Sequence, residues 1–198
     1  LRNLNKWVFI KYDAFGKMAY KGIASINQSR LWCQEQVDSN SQNFESRISN
    51  PIFIDNTEVY YSNTIFPSSE ITEMHVINYY DDYNFNWNPN NEFNTHPSEI
   101  ISFDQTLTTN TSNLITGSKI RILDSDQWIH EFISYDKFRR PIYATSYREG
   151  VKEEVFLNRD FQGLILNTKK VHYKVGFNIV EVKNNFSYWW MSSINEKN

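Results

Sequence analysis

Two nine-residue stretches of this 198-residue chain match each other, and both follow strand-like segments rich in aromatic residues. The stretch 12–20 reads Tyr-Asp-Ala-Phe-Gly-Lys-Met-Ala-Tyr, and the stretch 135–143 reads Tyr-Asp-Lys-Phe-Arg-Arg-Pro-Ile-Tyr. Each copy follows a strand that carries a tryptophan, Trp7 or Trp128. Because Asp bonds the backbone two residues on and Gly accepts a positive φ, the pattern predicts a strand-turn-strand unit.

Two weaker copies extend the repeat. The stretch 158–164 (Asn-Arg-Asp-Phe-Gln-Gly-Leu) matches the turn, and the stretch 80–83 (Tyr-Asp-Asp-Tyr) matches its beginning. In such a unit we expect the Tyr ring in the core with its hydroxyl near water. We expect the basic residue after the turn to lay its stem along apolar surface.

These stretches resemble the YD repeat of bacterial Rhs proteins, in which Tyr-Asp is followed after two residues by Gly-Arg and an apolar strand. Gly16-Lys17 stands where the family has Gly-Arg, whereas Arg139-Arg140 keeps the Arg and loses the Gly. The wider stretches 4–26 and 119–147 look like the segments ahead of the main repeat array. The motif residues are Tyr12, Asp13, Phe15, Gly16, Tyr20, Tyr135, Asp136, Phe138, Arg140 and Tyr143.

The resemblance implies a structural function. In the family, hairpins of this kind stack into a spiralling β-sheet shell or solenoid, which encloses a toxic C-terminal segment or serves as a cell-surface adhesion scaffold. It implies a secreted or surface location, and as partners the remainder of the same polypeptide, an enclosed toxin or a secretion apparatus. The family's Asp-Pro-x-Gly element is absent from the sequence.

The pattern of the chain predicts a mainly β fold made of antiparallel hairpins. Strands are expected at 6–12, 17–20, 52–54, 58–61, 71–80, 119–123, 128–135, 142–147, 151–157 and 164–175. A short helix is expected around 28–47, with Ser29 as its N-cap, and 105–118 is expected to be a loop because it is rich in Thr, Asn and Ser. We treat 1–198 as a single region in which 27–118 is an insertion between two YD-like units.

Composition limits the partners. A net charge of −3, without a clustered basic face, argues against a nucleic-acid partner. No apolar run approaches the roughly 20 residues that a spanning helix needs, so membrane insertion is not expected. No signal peptide is visible, and a chain that begins Leu-Arg without a Met is interpreted as a fragment or a processed product.

Catalytic and metal-binding patterns are weak. The histidines at 75, 96, 130 and 172 lack zinc-ligand spacing. The acidic pairs at 81–82 and 124–126 lack the calcium-loop pattern. His130, Glu131 and Asp136 invite an acid-base interpretation, but strand alternation puts His130 and Glu131 on opposite faces. We therefore expect no enzyme activity, no metal and no cofactor.

The segment 79–93 suggests an alternative function. It combines Tyr83, Phe85 and Trp87 with Asn and Asp side chains, and exposed rings beside amides suit the stacking of sugar rings. The alternative is thus a carbohydrate-binding or adhesin module with a glycan as partner. The competing interpretation, which we favour, is that these rings close the edge of the core.

Overall fold

The computed structural model describes residues 5–86, 103, 105–177 and 179–188, and in them it places eleven β-strands and one α-helix. The elements are β1 (Lys6–Tyr12), β2 (Met18–Ser25), α1 (Arg30–Ser39), β3 (Arg47–Ile54), β4 (Thr57–Tyr61), β5 (Ile71–Asp81), β6 (Thr111–Arg121), β7 (Trp128–Tyr135), β8 (Pro141–Arg148), β9 (Val151–Arg159), β10 (Ile165–Lys174) and β11 (Val180–Asn185). The predicted mainly β, antiparallel fold with a short helix is confirmed.

Nine of these strands form one open antiparallel sheet in the order β1-β2-β5-β6-β7-β8-β9-β10-β11. β5 and β6 lie between the two YD-like hairpins, so the stretch 27–118 supplies two strands that join them. Between β2 and β5 the chain leaves the sheet and forms α1 and the separate β3–β4 hairpin.

The expected loop at 105–118 is wrong, because β6 already begins at Thr111. Thr111 and Thr116 are buried, and their hydroxyls donate to the carbonyl oxygens of Asp81 and Tyr79, respectively. Threonine fits a pleated strand well, and its hydroxyl here finds a backbone acceptor on the neighbouring chain segment. A polar composition therefore hid a buried strand.

The predicted helix is correct in place but too long at its C-terminal end. The hydroxyl of Ser29 accepts a hydrogen bond from the Trp32 N–H at 3.2 Å, as an N-cap should, and α1 ends at Ser39. No residue of α1 is buried, so packing does not extend it into the polar residues that follow. Residues 40–46 are not helical and lead to Glu45, which lies in the core.

The two sheet faces differ in what covers them. The inner face carries Phe9, Tyr20, Met74, Tyr79 and Phe132, and the β3–β4 hairpin packs on it. The outer face is less covered: on β1 it presents side chains that are 61% (Val8), 47% (Ile10) and 43% (Tyr12) exposed. A cluster of buried apolar side chains therefore lies between the inner face and the hairpin, whereas on β8 the neighbouring residues Ile142 and Tyr143 are both buried on opposite faces.

A line of stacked rings forms the centre of this core. Tyr61 of the hairpin stacks on Tyr79, Tyr79 stacks on Phe85 with centroids 4.4 Å apart, and Phe85 stacks on Phe132. Phe85 lies where a Cβ on Gly117 would be, 2.4 Å from its ring, so the glycine makes room for the stack. The rings join the hairpin to three neighbouring strands of the sheet.

A buried ion pair ties the excursion between β2 and β5 to the edge strand β1. The Lys11 Nζ atom donates to the carboxylate of Glu45 at 2.8 Å, and both side chains are at most 1% exposed. Burial raises the pKa of Glu45, but hydrogen bonds from Lys11, Ser62 and Thr64 outweigh it, and the pKa lies below its ordinary value.

Candidate functional site

The sequence repeat corresponds to one turn structure that occurs three times, at 13–17, 136–140 and 160–164; we call these the Asp-closed turns. In the first, the Asp13 carboxylate accepts from the N–H groups of Phe15 and Lys17 at 2.9 and 2.8 Å. In the second, Asp136 accepts from the N–H groups of Phe138 and Arg140 at 2.8 and 2.9 Å. The weaker third copy closes through Asp160, which accepts from the Leu164 N–H at 2.8 Å.

The fourth residue of each Asp-closed turn has a positive φ, 74° at Gly16, 65° at Arg139 and 96° at Gly163. In all three turns the N–H of this residue donates to the carbonyl of the Asp. The geometry is that of a tight hairpin turn followed by a left-handed residue, which glycine adopts without steric cost. Arg139 is in the same conformation without that advantage.

The stretch 80–83 does not form a fourth turn. The Asp81 carboxylate accepts from the Asn113 N–H of β6 at 2.5 Å, so it links two strands that are far apart in sequence. Asp82 accepts from the Asn84 N–H and from Arg47, which lies at the start of β3. The likeness at this position is one of sequence only.

The three Asp-closed turns lie at the same end of the sheet, because β1, β7 and β9 all run in one direction in the antiparallel order. Side chains connect them to neighbouring segments. Arg140 bonds the Asp136 carboxylate at 2.7 Å and the Asp160 carbonyl at 3.1 Å, and Lys17 reaches Asp81 at 3.3 Å. The charged groups of these basic residues, and not only their stems, lie on aromatic rings: the Arg140 guanidinium is 4.8 Å from the centroid of Phe138, and the Lys17 ammonium is 4.8 Å from that of Tyr80.

The tyrosines of the motif fall into two groups. The closing residues Tyr20 and Tyr143 are both fully buried, and each hydroxyl lies within 3.4 Å of a buried glutamate, Glu45 or Glu154. The leading tyrosines differ from each other. Tyr135 is buried, and its hydroxyl donates to the Ile115 carbonyl at 2.6 Å. This contradicts the expectation that the hydroxyl lies near water.

Tyr12 is 43% exposed on the outer face. Its ring therefore lies outside the core, contrary to the expectation. A register shift precedes both leading tyrosines, between Lys11 and Tyr12 and between Ser134 and Tyr135, so it does not account for the difference between them. Phe15 and Phe138, which the motif shares, are 75% and 58% exposed at the tips of their turns.

The rings of the segment 79–86 are packed against the protein. Tyr79 and Phe85 are buried in the ring stack, Tyr80 is partly buried, and the Tyr83 hydroxyl donates to the Ile133 carbonyl at 3.2 Å. Trp87 lies outside the described residues. Phe85 therefore lies in the core, as the favoured interpretation predicts, whereas Tyr83 is half-buried and bound to the main chain through its hydroxyl.

A cleft of about 590 Å³ lies on the inner face, towards the end of the sheet opposite the Asp-closed turns. The β3–β4 hairpin forms one wall, with Phe53 and Glu58 among the residues that line it. The other wall comes from β6 and β7, whose residues Lys119 and His130 are direct cross-strand partners. The side chains of Trp128 and Glu149 lie at the open end of this wall.

The basic groups of the cleft are almost fully buried. Burial lowers the pKa of Lys119 to about 8, and the neighbouring Glu58 only partly opposes it. Burial, together with the charge of Lys119, lowers the pKa of His130 to about 4, so this imidazole is neutral at physiological pH. The cleft thus holds one ammonium and one neutral imidazole side by side.

His130, Glu131 and Asp136 do not converge. Glu131 lies on the outer face, where it accepts from the Ser118 hydroxyl at 2.9 Å, while His130 faces the cleft. Asp136 is committed to its turn at the other end of the sheet. Within the described ranges, no three His, Cys, Asp or Glu side chains are grouped so that they would hold a metal ion.

Sequence reasoning missed the cleft, although it carried one local signal. Trp128, His130 and Phe132 alternate along β7, which places the histidine between two aromatic residues on the face that packs. The second half of the site, Lys119 and the β3–β4 hairpin, joins it only through long-range pairing.

No family model, curated protein or solved structure matches the chain. The described part of the molecule contains no helix with the length and hydropathy needed to cross a membrane.

Proposed function

We propose that the chain is a structural segment of a secreted or cell-surface Rhs-type protein, in which Asp-closed hairpins add strands to an extended β-sheet wall. The observation that carries the proposal is the threefold occurrence of the same Asp-closed turn at one end of a single sheet. Turns of one design at one end let successive hairpins stack in a constant direction, as a repeat architecture requires.

Contacts between neighbouring turns support the same function. Arg140 bridges two Asp-closed turns, and Arg159, beside the third turn, donates to the Pro141 carbonyl at 3.1 Å. The second and third turns are therefore bonded to each other at the end of the sheet where the chain reverses. Such bonds stiffen the sheet locally, and they leave its two faces to other segments.

The sheet edges are open within the described residues. β11 is exposed at all six positions and pairs only with β10, and β1 pairs with β2 and, through a single bridge, with Glu45. The unpaired N–H and C=O groups of an edge strand can pair with a further strand, and soluble proteins ordinarily protect such edges. We propose that other parts of the same polypeptide cover these edges, with a C-terminal toxin or a secretion apparatus as further partners.

Hydrogen exchange tests this function. We expect the protein purified from the cells that produce it to be longer than this chain. In that longer protein the backbone amides of the β11 peptide (180–185) should exchange much more slowly than they do in the 198-residue chain alone. The central strand β7 is the matched control, because it is paired on both sides and should be protected in both samples. Equal exchange of the β11 peptide in the two samples would overturn the proposal.

A further inference from the structure

We propose that the cleft between the β3–β4 hairpin and strands β6–β8 binds an uncharged, hydroxyl-rich molecule, namely a neutral saccharide. Asn86 of the segment 79–93 lines this cleft, whereas Tyr83 and Phe85 do not, and the proposal does not depend on the scaffold function. Four observations carry it: the unused donors of Lys119 on the floor, the aromatic rings that line the cleft, the charge of the rim and the size of the space.

The floor of the cleft has a buried cation with unused hydrogen-bonding capacity. Lys119 is 5% exposed, and its Nζ atom makes one hydrogen bond among the described residues, to the Glu58 carbonyl at 3.2 Å. The neighbouring His130 is also buried, and its Nδ1 atom is enclosed by the protein, so the cleft does not reach that atom. Because an ammonium carries three donors, a molecule that offers Lys119 further acceptors gains from filling the cleft.

A hydroxyl group fits this floor and the carboxylates around it. Its oxygen accepts from the Lys119 ammonium while its proton is donated to a carboxylate that lines the cleft, such as Glu58 or Glu149. A saccharide presents this functional group several times.

Rings at the mouth provide apolar contact. Phe53 is 69% exposed at the tip of the hairpin, and Trp128 is partly buried at the start of β7. The C–H face of a pyranose packs on such rings while its hydroxyls point to polar neighbours, the division of labour found in small-molecule sites. The volume of about 590 Å³ lies in the range of such sites and accommodates one or two sugar units.

The charge of the rim excludes anions. Four carboxylates line the cleft, at Asp55, Glu58, Asp126 and Glu149, against the cations Lys119 and Arg121. Arg121 is already paired with Asp55 and Asp126, so only the Lys119 charge remains to attract an anion. Acidic sugars and phosphates would meet net repulsion, whereas neutral sugars find carboxylate acceptors for their hydroxyls.

Calorimetric titration of the purified chain with cellohexaose, chitohexaose and xylohexaose tests the proposal, with oligogalacturonate as the charged comparison. We expect at least one neutral hexaose to bind at concentrations up to about 10 mM, and oligogalacturonate to bind more weakly. Phe53→Ala and Trp128→Ala should each weaken that binding about ten-fold.

Phe138→Ala is the matched control, since it removes an exposed ring at the opposite end of the sheet and should change affinity less than about two-fold. Phe53 is exposed, so its replacement does not threaten folding, which far-ultraviolet circular dichroism verifies. The proposal is overturned if none of the neutral hexaoses binds, if oligogalacturonate binds more tightly, or if Phe138→Ala reduces affinity as much as Phe53→Ala. The first outcome would make the cleft a hydrated gap only, and it would leave the hydrogen-exchange test of the scaffold unaffected.

Discussion

His130 shows how one side chain responds to the surface that covers it. Alternation along β7 turns it towards the inner face, and the cross-strand neighbour Lys119 brings a positive charge beside it. Burial and that charge together disfavour the imidazolium, which is why the pKa falls to about 4. Stability at mildly acidic pH therefore depends on this imidazole.

Acid should destabilise the fold through His130. Between pH 6.5 and about 4 the unfolded chain binds a proton at this imidazole and the folded chain does not, so stability falls as the pH is lowered. The loss over the whole window amounts to about 3 kcal/mol. Urea unfolding of the wild type and of His130→Gln at several pH values measures it as the difference between the two curves.

His172→Gln serves as the comparison, because it removes a histidine whose side chain is 44% exposed, whereas His130 is buried. If the wild type and His130→Gln lose stability in parallel between pH 7 and pH 4, the imidazole is not kept neutral by its surroundings.

The Asp-closed hairpin is the unit at the scale of elements, and its three copies differ in how fully the carboxylate is used. Asp136 holds two backbone N–H groups and the Arg140 guanidinium, whereas Asp13 holds two N–H groups. Asp160 holds only the Leu164 N–H, and its Oδ2 atom is buried without a partner among the described residues. The three turns thus differ in the number of donors that the aspartate carboxylate bonds.

Replacing each aspartate by alanine should reveal that order. We expect Asp136→Ala to cost about 2–3 kcal/mol, Asp160→Ala about 1 kcal/mol and Asp13→Ala an intermediate amount, because charged acceptors contribute more when they bond more donors. The free energy of unfolding from urea titration is the measurement. Equal losses for the three variants would show that the turns are held by their backbone bonds alone.

Local signals in the sequence were sufficient for some strands and insufficient for others. Aromatic and β-branched runs beside Asp turns predicted β1 and β7 at their observed bounds and β8 within a residue at each end, whereas β2 and β3 each extend five residues beyond the predicted 17–20 and 52–54. β6 was missed at its start because Thr111 and Thr116 bury polar side chains through backbone bonds, which hydropathy does not register. β11 was missed because all six of its side chains are exposed and give no alternation of burial.

At the scale of the whole molecule, the cleft depends on how the chain between β2 and β5 is held against the sheet, because the β3–β4 hairpin in this stretch forms one of its walls. The Lys11–Glu45 pair, Tyr20 and the main chain at 62–65 form one buried polar cluster at this junction. Neither the Lys11–Glu45 ion pair nor the cleft could be predicted from the sequence. Lys11 and Glu45 meet only because the fold brings an edge strand to a distant loop.

Breaking this ion pair should loosen the whole assembly. Lys11→Met leaves the Glu45 carboxylate buried without its cation and should cost about 3–5 kcal/mol. The double variant Lys11→Met/Glu45→Gln should recover about 1–3 kcal/mol of that loss, because the amide keeps an acceptor for Thr64 and carries no charge.

Chemical unfolding of the two variants provides the comparison. A double variant no more stable than Lys11→Met would mean that the buried charge is not the source of the loss. As a matched control, Lys6→Met removes an ion pair of similar length, 2.8 Å to Glu73, whose side chains are 38% and 37% exposed. It should change stability by less than about 1 kcal/mol.

The placement of all Asp-closed turns at one end of the sheet sets a rule of parity for this architecture. Each hairpin takes the chain out and back, so gaining or losing one changes the strand count by two and preserves the direction of every later strand. One such step changes the width of the sheet by about 9–10 Å. A single-strand insertion would instead send the next turn to the opposite end, among the residues that form the cleft. A sheet that keeps its Asp-closed turns at one end therefore gains or loses strands two at a time.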